Sequence, residues 1–381
     1  MSLPIYKEQQ TKQVLPEFTN QANAGLWFDR FFDQFDGENQ NDSKRWQVFE
    51  PKSGEDKGIT YWLTDNFTKK VKKAGNDALV RHATKQLDLA EKVLKGKALT
   101  YKASWHFVTG MGNPHPVENG FTWHPTLGVP YLTGAAVKGL VRSYLENNYH
   151  EDDRDALLWQ WFGSTSKNPE DCKDPMSTQA GELIFFDAIP IEPVTLGVDV
   201  MTPHMGDWYA KGEKEPNQPA TVPADWHDPV PVTFLVAKGI TLLFSFARRS
   251  FQRKPDDKRK DICLSDVEQV LTAALQYAGA GAKTATGYGQ MLSQASLEQE
   301  KEQERLAQAE KIEGYLKKNN RNNSYFIERS GKTVTSITST DRINELLNSL
   351  GEAARKNIDS GKSERITAYV FNKDVLKVEP R

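Results

Sequence analysis

The chain has 381 residues, 38% hydrophobic and 26% charged, with a formal net charge of −2. That length allows two domains, or one enlarged domain with an appendage. No run of about 18 apolar residues occurs, so no membrane span is expected, and the near-neutral balance argues against a surface that grips long nucleic acid everywhere. Any such contact must be a local basic track, or one subunit's share of a larger groove. The opening MSLPIYKEQQTKQVLPEF lacks a basic segment followed by an apolar one. A secretory leader is therefore not expected, and a cytoplasmic location is. Cys172 and Cys263 lie 91 positions apart, which suits two free thiols better than a disulfide framework or a zinc site. No cofactor or metal is expected.

In chain order, GLWFDRFFDQF places Trp27, Phe28, Phe31, Phe32 and Phe35 on one helical face. A second helix is expected from about Asp77 to Leu94. LTYKASWHFV alternates Tyr101, Ala103, Trp105 and Phe107 against Lys102, Ser104 and His106, the period of a strand. After a Gly- and Pro-containing loop, YLTGAAVKGLVRSYLE reads as a helix. Thr133 is its N-cap, and Ala136, Val137, Leu140, Val141 and Tyr144 follow helical spacing. GELIFFDAIPI reads as a strand. The Pro-rich TPHMGDWYAKGEKEPNQPATVPADWHDP is too long for an ordinary connection. VPVTFLVAKGITLLFSFARR reads as a hairpin turning near Lys238-Gly239. LSDVEQVLTAALQYAGA reads as a helix with a capping box of Ser265 and Glu268, and TGYGQMLSQA as a last strand.

The order strand, helix, strand, strand, helix, strand is that of the ferredoxin-like split unit. The expected fold is therefore α+β: a ferredoxin-like (RRM-like) core with large loop insertions over residues 98–295, preceded by a helical region over 1–97. SLEQEKEQERLAQAEKIEGYLKK reads as a charged helix opened by Ser296, with Gln299 three residues on, giving a helical connector over 296–322. Residues 323–381 read as a small α+β extension: two short strands, a helix with Ile343, Leu346, Leu347 and Leu350 on one face, and the strand RITAYVF.

The stretch YAGAGAKTATGYGQM carries Gly279, Gly281, Gly287 and Gly289 around Lys283 and Thr284. It is not a Walker A loop: Lys283-Thr284 follows Ala282, and Tyr277 stands where the first glycine is needed. It is not a dinucleotide fingerprint either, because it follows a helix and precedes a strand, the reverse of that context. Two readings remain. Glycines supply positive φ where a helix turns back into a strand. They also permit close approach of an extended phosphate backbone, with Lys283 adding charge.

Taken together, this glycine loop, GVPYLTGAAVKGLVRSYLE, WFGSTS followed by AGELIFFDAIP, and DVMTPHMGDWYAKG with PADWHDPVPVTFLVAKG resemble the RAMP proteins of CRISPR–Cas systems over roughly residues 98–295. The last pair resembles the RAMP subunit that caps the backbone of type III-B (Cmr) effectors near the guide RNA 3′ end. The resemblance implies a non-catalytic RNA-binding subunit of a hetero-oligomeric ribonucleoprotein. Its partners would be guide RNA (crRNA), target RNA through the guide, and other Cmr-type RAMP backbone and small subunits in antiviral defense. The tail after Ala295 departs from the family pattern.

On this reading the RNA-binding candidates are Lys138, Arg142, Arg248, Arg249, Gly279, Gly281, Lys283, Thr284, Gly287, Tyr288 and Gly289. Lys138 and Arg142 are four apart and share a helix face. Tyr288 could stack on a base or fill the core. ARRSFQRKPDDKRK carries seven cations against two aspartates, net +5, which is either a solvated loop or a contact to RNA or a neighbouring subunit. Two alternatives stay open. A metal-independent guide-processing endoribonuclease would use a histidine general base among His106, His115, His124, His204 and His227. In that case His204 and His227 would be accompanied by Asp207, Trp208, Asp225 and Trp226. The other alternative is a protein–protein adaptor without RNA contact.

Overall fold

A computed structural model describes residues 17–19, 21–36, 47–48, 58–164, 180–215, 218, 222–224, 227, 229–249, 261–319, 324–337 and 340–381. Cys172, Asp225, Trp226 and residues 250–260 of the basic run lie outside the described residues. The chain divides into two compact units, Met1–Ser293 and Gln294–Arg381.

In the first unit, α1 (Ala24–Arg30) begins where the Asn23 side chain accepts a hydrogen bond from the Leu26 amide. It ends sooner than its aromatic spacing predicts. Trp27 and Phe28 are buried from the helix and Phe32 from beyond its end. Phe35 belongs instead to β1 (Phe35–Asp36), paired with β2 (Gln47–Val48). A second helical segment, α2 (Gly58–Tyr61), widens into a π-type turn over Trp62–Thr68. It adds Trp62 and Phe67 to a buried aromatic cluster around Phe28. After β3 (Lys73–Ala74), α3 (Asp77–Asp88) and its wider continuation over Leu89–Val93 match the predicted helix, capped by Asn76.

The predicted strand over 99–108 is two strands in two sheets: β4 (Lys97–Ala103) and β5 (His106–Phe107). α4 (Gly134–Asn148) starts at Thr133, whose hydroxyl accepts from the Ala136 amide as the sequence predicts. Its buried stripe is Val137, Val141 and Leu145. The sequence reading assigns nothing to α5 (Arg154–Phe162) or to β8 (Val194–Met201). The strand over 181–191 splits into β6 (Leu183–Phe185) and β7 (Ile189–Pro190), both on one partner. A short helix, α6 (Gly206–Lys211), lies in the Pro-rich stretch.

The predicted hairpin is a sheet-to-sheet crossing. β9 (Val232–Lys238) pairs with β8 and β5, whereas β10 (Thr241–Arg248) pairs with β4, β6 and β7. Residues 233–237 and 242–247 are buried without alternation, the mark of strands covered on both faces rather than of a half-exposed hairpin. Gly239, at φ +54°, makes the bend. α7 (Leu264–Ala273) lacks the predicted capping box: it starts after Cys263 with no side-chain cap. Ser265 lies inside it, and Glu268 is drawn to an ion pair with Lys97 of β4. β11 (Met291–Ser293) completes the central sheet.

That antiparallel sheet has the order β11-β4-β10-β6, and the second sheet β3-β8-β9-β5. On one face of the central sheet, Leu242, Phe244 and Phe246 pack with Val137, Val141, Val267 and Leu271 of α4 and α7. On the other, Leu243 packs with Ala83 and Leu87 of α3, and Gln86 donates to Ser245 Oγ and the Asp187 carbonyl. Helices therefore cover both faces of the central sheet.

The second unit begins with α8 (Gln294–Gln308). The helix predicted from Ser296 through Lys318 starts two residues earlier and stops at Gln308. Glu310–Asn319 is β12, with Ile312, Gly314 and Leu316 inward and Lys311, Glu313 and Tyr315 outward. With β13 (Ser324–Arg329), β14 (Lys332–Ile337), β15 (Glu364–Phe371) and β16 (Asp374–Pro380) it forms an antiparallel sheet, ordered β14-β13-β12-β15-β16. Its core is closed by α9 (Thr340–Leu350) and α10 (Glu352–Asp359), through Ile343, Leu346, Leu347, Leu350 and Ile358.

His115 belongs to the aromatic core. Its ring stacks on Phe28 at 4.1 Å, Nε2 donates to the Phe28 carbonyl and Nδ1 accepts from the Val117 amide. Those bonds need the neutral ring, and burial lowers its pKa from 6.5 to about 4. The unfolded chain therefore takes up the proton first. Stability is complete above pH 6.5 and falls as pH drops from 6.5 toward 4. Linkage gives a loss of about 1.4 kcal/mol between pH 7.5 and 5.5 from this group. Urea unfolding at the two pH values is expected to show that loss in the wild type and a flatter dependence in His115→Gln.

Candidate functional site

The glycine loop joins the end of α7 to β11 and is tied to both sheets. The Ala280 amide donates to the Gly289 carbonyl, Ala282 to Val108, and Gly289 to His106. The loop thereby lies along the chain at β5 while β11 pairs with β4. All four glycines have positive φ, and Lys283 itself sits in the left-handed region at φ +59°. Their reasons differ. A Cβ at Gly281 would lie 2.1 Å from the Val108 carbonyl oxygen, and one at Gly289 1.9 Å from that of Ala280. A Cβ at Gly279 would meet Thr284 at 3.2 Å, whereas Gly287 opens onto free space. Gly279, Gly281 and Gly289 therefore build the fold, and Gly287 with Lys283 forms the part open to a ligand. Thr284 opens the short turn Thr284–Thr286, accepting the Gly287 amide on its carbonyl.

Tyr288 is buried, at 7% exposure. Its hydroxyl donates to Asp199 Oδ2 of β8 at 2.7 Å, and burial with that bond pushes its pKa up to about 12. It fills the core and does not offer a face to a base. Lys283 Nζ lies 5.4 Å from the ring centroid of Phe234, which in turn packs edge-on to Tyr288 at 5.9 Å. The sequence reading missed Phe234, Asp199 and Trp105 as parts of this end of the molecule.

The other candidates gather elsewhere. Lys138 is half-buried on α4. Burial, then the charges of Arg142 and Arg249, hold its ammonium below the ordinary lysine value. Arg142 donates from Nε to Glu146 at 2.7 Å. Arg248 and Arg249 are exposed at the end of β10, with Arg248 3.8 Å from Asp261 and the Arg249 amide bonded to the Glu182 carbonyl. Register separates this cluster from the glycine loop. Thr241 of β10 pairs with Lys102, next to the loop end, while Arg248 pairs with Leu183 past the opposite end of β4. At the ordinary strand rise the two ends of β10 are about 23 Å apart.

The histidines do not converge. His106 is half-buried, its Nδ1 lacks a hydrogen-bond partner among the described residues, and burial lowers its pKa. His115 is structural. His124 Nδ1 accepts from the Leu127 amide, and its ring lies 5.7 Å from that of His82. His204 is exposed. His227 donates to the Val222 carbonyl. Asp207 pairs with Lys211 of its own helix. Among the described residues no group of three or more His, Cys, Asp or Glu side chains is placed to hold a metal ion, and no helix is long and apolar enough to cross a membrane.

Residues 100–292 match the RAMP superfamily; the chain belongs to that family. Within it, the chain is 29% identical over 245 residues to the CRISPR system Cmr subunit Cmr6 of Pyrococcus furiosus, covering 50% of this chain and 66% of that one. It is 28% identical over 101 residues to the Cmr6 subunit of Saccharolobus solfataricus, covering 26% and 30%. The chain thus spans just under two thirds of the first relative and under a third of the second. Among solved structures it is similar to a chain of the Type III-B Cmr-beta complex bound to cognate target RNA, with TM-score 0.42, 21% identity and coverage of 60% and 68%. It is also similar to the crystal structure of Pyrococcus furiosus Cmr6, with TM-score 0.28, 25% identity and coverage of 52% and 97%.

The loop geometry orders the effects of substitution. Gly289→Ala adds a Cβ against a carbonyl at positive φ and is expected to cost about 2 kcal/mol or more. Gly287→Ala meets only the left-handed backbone penalty, about 1 kcal/mol. Thermal melts of the two variants should therefore separate by several degrees, Gly289→Ala being the lower.

Proposed function

We propose that the protein is a non-catalytic RNA-binding structural subunit of a type III-B (Cmr) CRISPR effector complex. In this reading it holds the 3′ part of the guide RNA, caps the filament of RAMP subunits and meets target RNA through the guide, in the cytoplasm. RAMP membership and the similarity to Cmr6 support the assembly. The central strands in chain order are β4, β6, β10 and β11, and in the sheet they run fourth, first, third, second; this supports a ferredoxin-like core.

One observation carries the RNA reading. Lys138 is half-buried on α4, where burial and then the charges of Arg142 and Arg249 disfavour its own. Arg142 also pairs with Glu146. Like charges held this close are relieved by a polyanion, and phosphates supply it. At the other end of the sheet, Lys283 and the open Gly287 offer a second phosphate contact.

A metal-independent ribonuclease is the competing reading, favoured by the unpartnered Nδ1 of His106, a neutral ring able to accept a proton. Incubation of the purified chain with labelled guide-like RNA in EDTA, across a salt series and followed by a denaturing gel, tests both. Salt-sensitive binding with intact RNA is expected. The double variant Lys138→Glu and Lys283→Glu should bind more weakly and lower the slope of log K against log salt by about 2, while its melting transition is kept. Unchanged affinity in the folded double variant refutes the phosphate contacts. Cleavage that survives EDTA and is lost in His106→Ala refutes the non-catalytic role.

A further inference from the structure

Trp105 sits where the chain crosses from β4 to β5, beside the crossing from β9 to β10. Its backbone is fixed on both sides: the Ser104 amide donates to the Gln290 carbonyl, and the Gly239 amide donates to the Trp105 carbonyl. Strand alternation predicts an inward side chain. Because the strand breaks here, the indole is instead 49% exposed. It is nevertheless not loose. His106 stacks on it at 4.8 Å and 19°, and Tyr288 lies at 4.7 Å and 36°. The His106 and Tyr288 centroids are 6.5 Å apart. Rings centred over opposite faces of the indole would stand about twice as far from each other as from it. The two rings therefore do not sandwich the indole, and about half of Trp105 stays exposed.

The support behind the indole is rigid. Tyr288 is held by Asp199, packs on Phe234, and Phe234 carries the Lys283 ammonium. A fixed, half-exposed indole thus continues an aromatic row whose far end is a cation on the glycine loop. Lys238, close enough for its charge to act on His106, adds a second cation at the crossing. The carboxylate in this row, Asp199, is occupied by the Tyr288 hydroxyl and the Val200 amide. An aromatic face beside cations suits a ligand that is apolar and flat on one side and anionic on the other. A nucleotide of single-stranded RNA has that form.

The geometry points to Trp105 as a stacking platform for one nucleobase of a single-stranded RNA whose phosphates pass the glycine loop at Lys283 and Gly287. This rests on the RNA-holding function proposed above and adds to it a contact with a base. Stacking of this kind tolerates any base, so it positions a nucleotide without selecting it.

The test uses the 381-residue chain and two fluorescein-labelled RNAs of equal length, one oligouridine and one made of abasic riboses, with binding read by polarisation. Trp105→Ala is expected to weaken oligouridine binding by about 5- to 100-fold and to leave abasic RNA unchanged. Trp105→Phe should retain most of the affinity, because the ring still stacks. Lys283→Glu should weaken both RNAs, since it acts on phosphate. Trp105→Leu keeps apolar bulk at the crossing; should Trp105→Ala lose its melting transition, Trp105→Leu decides, and the same selective loss is expected of it. Wild-type binding that is salt-sensitive but unchanged in Trp105→Leu overturns the platform and leaves the RNA-holding function standing. Loss on both RNAs alike also overturns it, because the indole would then act through the fold. Absence of salt-sensitive binding by the wild type overturns the RNA-holding function itself, and the platform with it.

Discussion

The constraint on which the first unit depends is the double crossing between its sheets. β4 passes into β5, and β9 passes into β10, side by side, and backbone bonds tie them: Ala103 to Ile240 and Gly239 to Trp105. Neither crossing satisfies its own hydrogen bonds as an uninterrupted strand would, so other chain must supply partners. The glycine loop does this, giving amides to His106 and Val108 and the Gln290 carbonyl to Ser104. Side chains cannot be tolerated where the loop's backbone runs this close to another carbonyl, which is why residues 281 and 289 are glycines. What remains open on the loop, Lys283 and Gly287, is held still as a by-product of that fit. A preorganised contact loses less entropy on binding than a mobile loop does.

Much of the secondary structure was legible because two independent signals agreed. At α4 the Thr133 cap and the Val137–Val141 spacing both marked the same start. Misreadings arose where a single signal was ambiguous. Ile312 and Leu316 are four apart, a separation that satisfies a helix and a strand alike, and the surrounding charges favoured the helix. Sequence pairing could not reveal that β9 and β10 belong to different sheets, because an apolar run with a central glycine reads equally as a hairpin. The Ser265–Glu268 spacing fits a capping box, yet an ion pair with Lys97 of a distant strand engages Glu268. That choice is tertiary and leaves no local trace.

The candidate site was legible in part, for the same reason. Composition picked out the glycine loop, and helical spacing picked out Lys138 and Arg142. Nothing in the sequence indicated that these stand at opposite ends of one sheet. Tyr288 was undecided between core and surface until Asp199, 89 residues away, took its hydroxyl. Trp105 went unnoticed because its strand period assigned it inward. Only the break between β4 and β5 turns it out.

Charge placement matters more than the total in a chain of net −2. In the second unit several cations lie against carboxylates. Lys317 pairs with Glu328, Lys318 with Asp359, Lys377 with Glu379, Arg381 with Glu313, and Arg342 with Glu302 and Glu345. Exposed pairs of this kind add little stability, but each cancels its own field at a distance. Lys138 of α4 instead feels the like charges of Arg142 and Arg249, of which Arg142 also pairs with Glu146. A potential of this form is set by where charges go unpaired and not by their total.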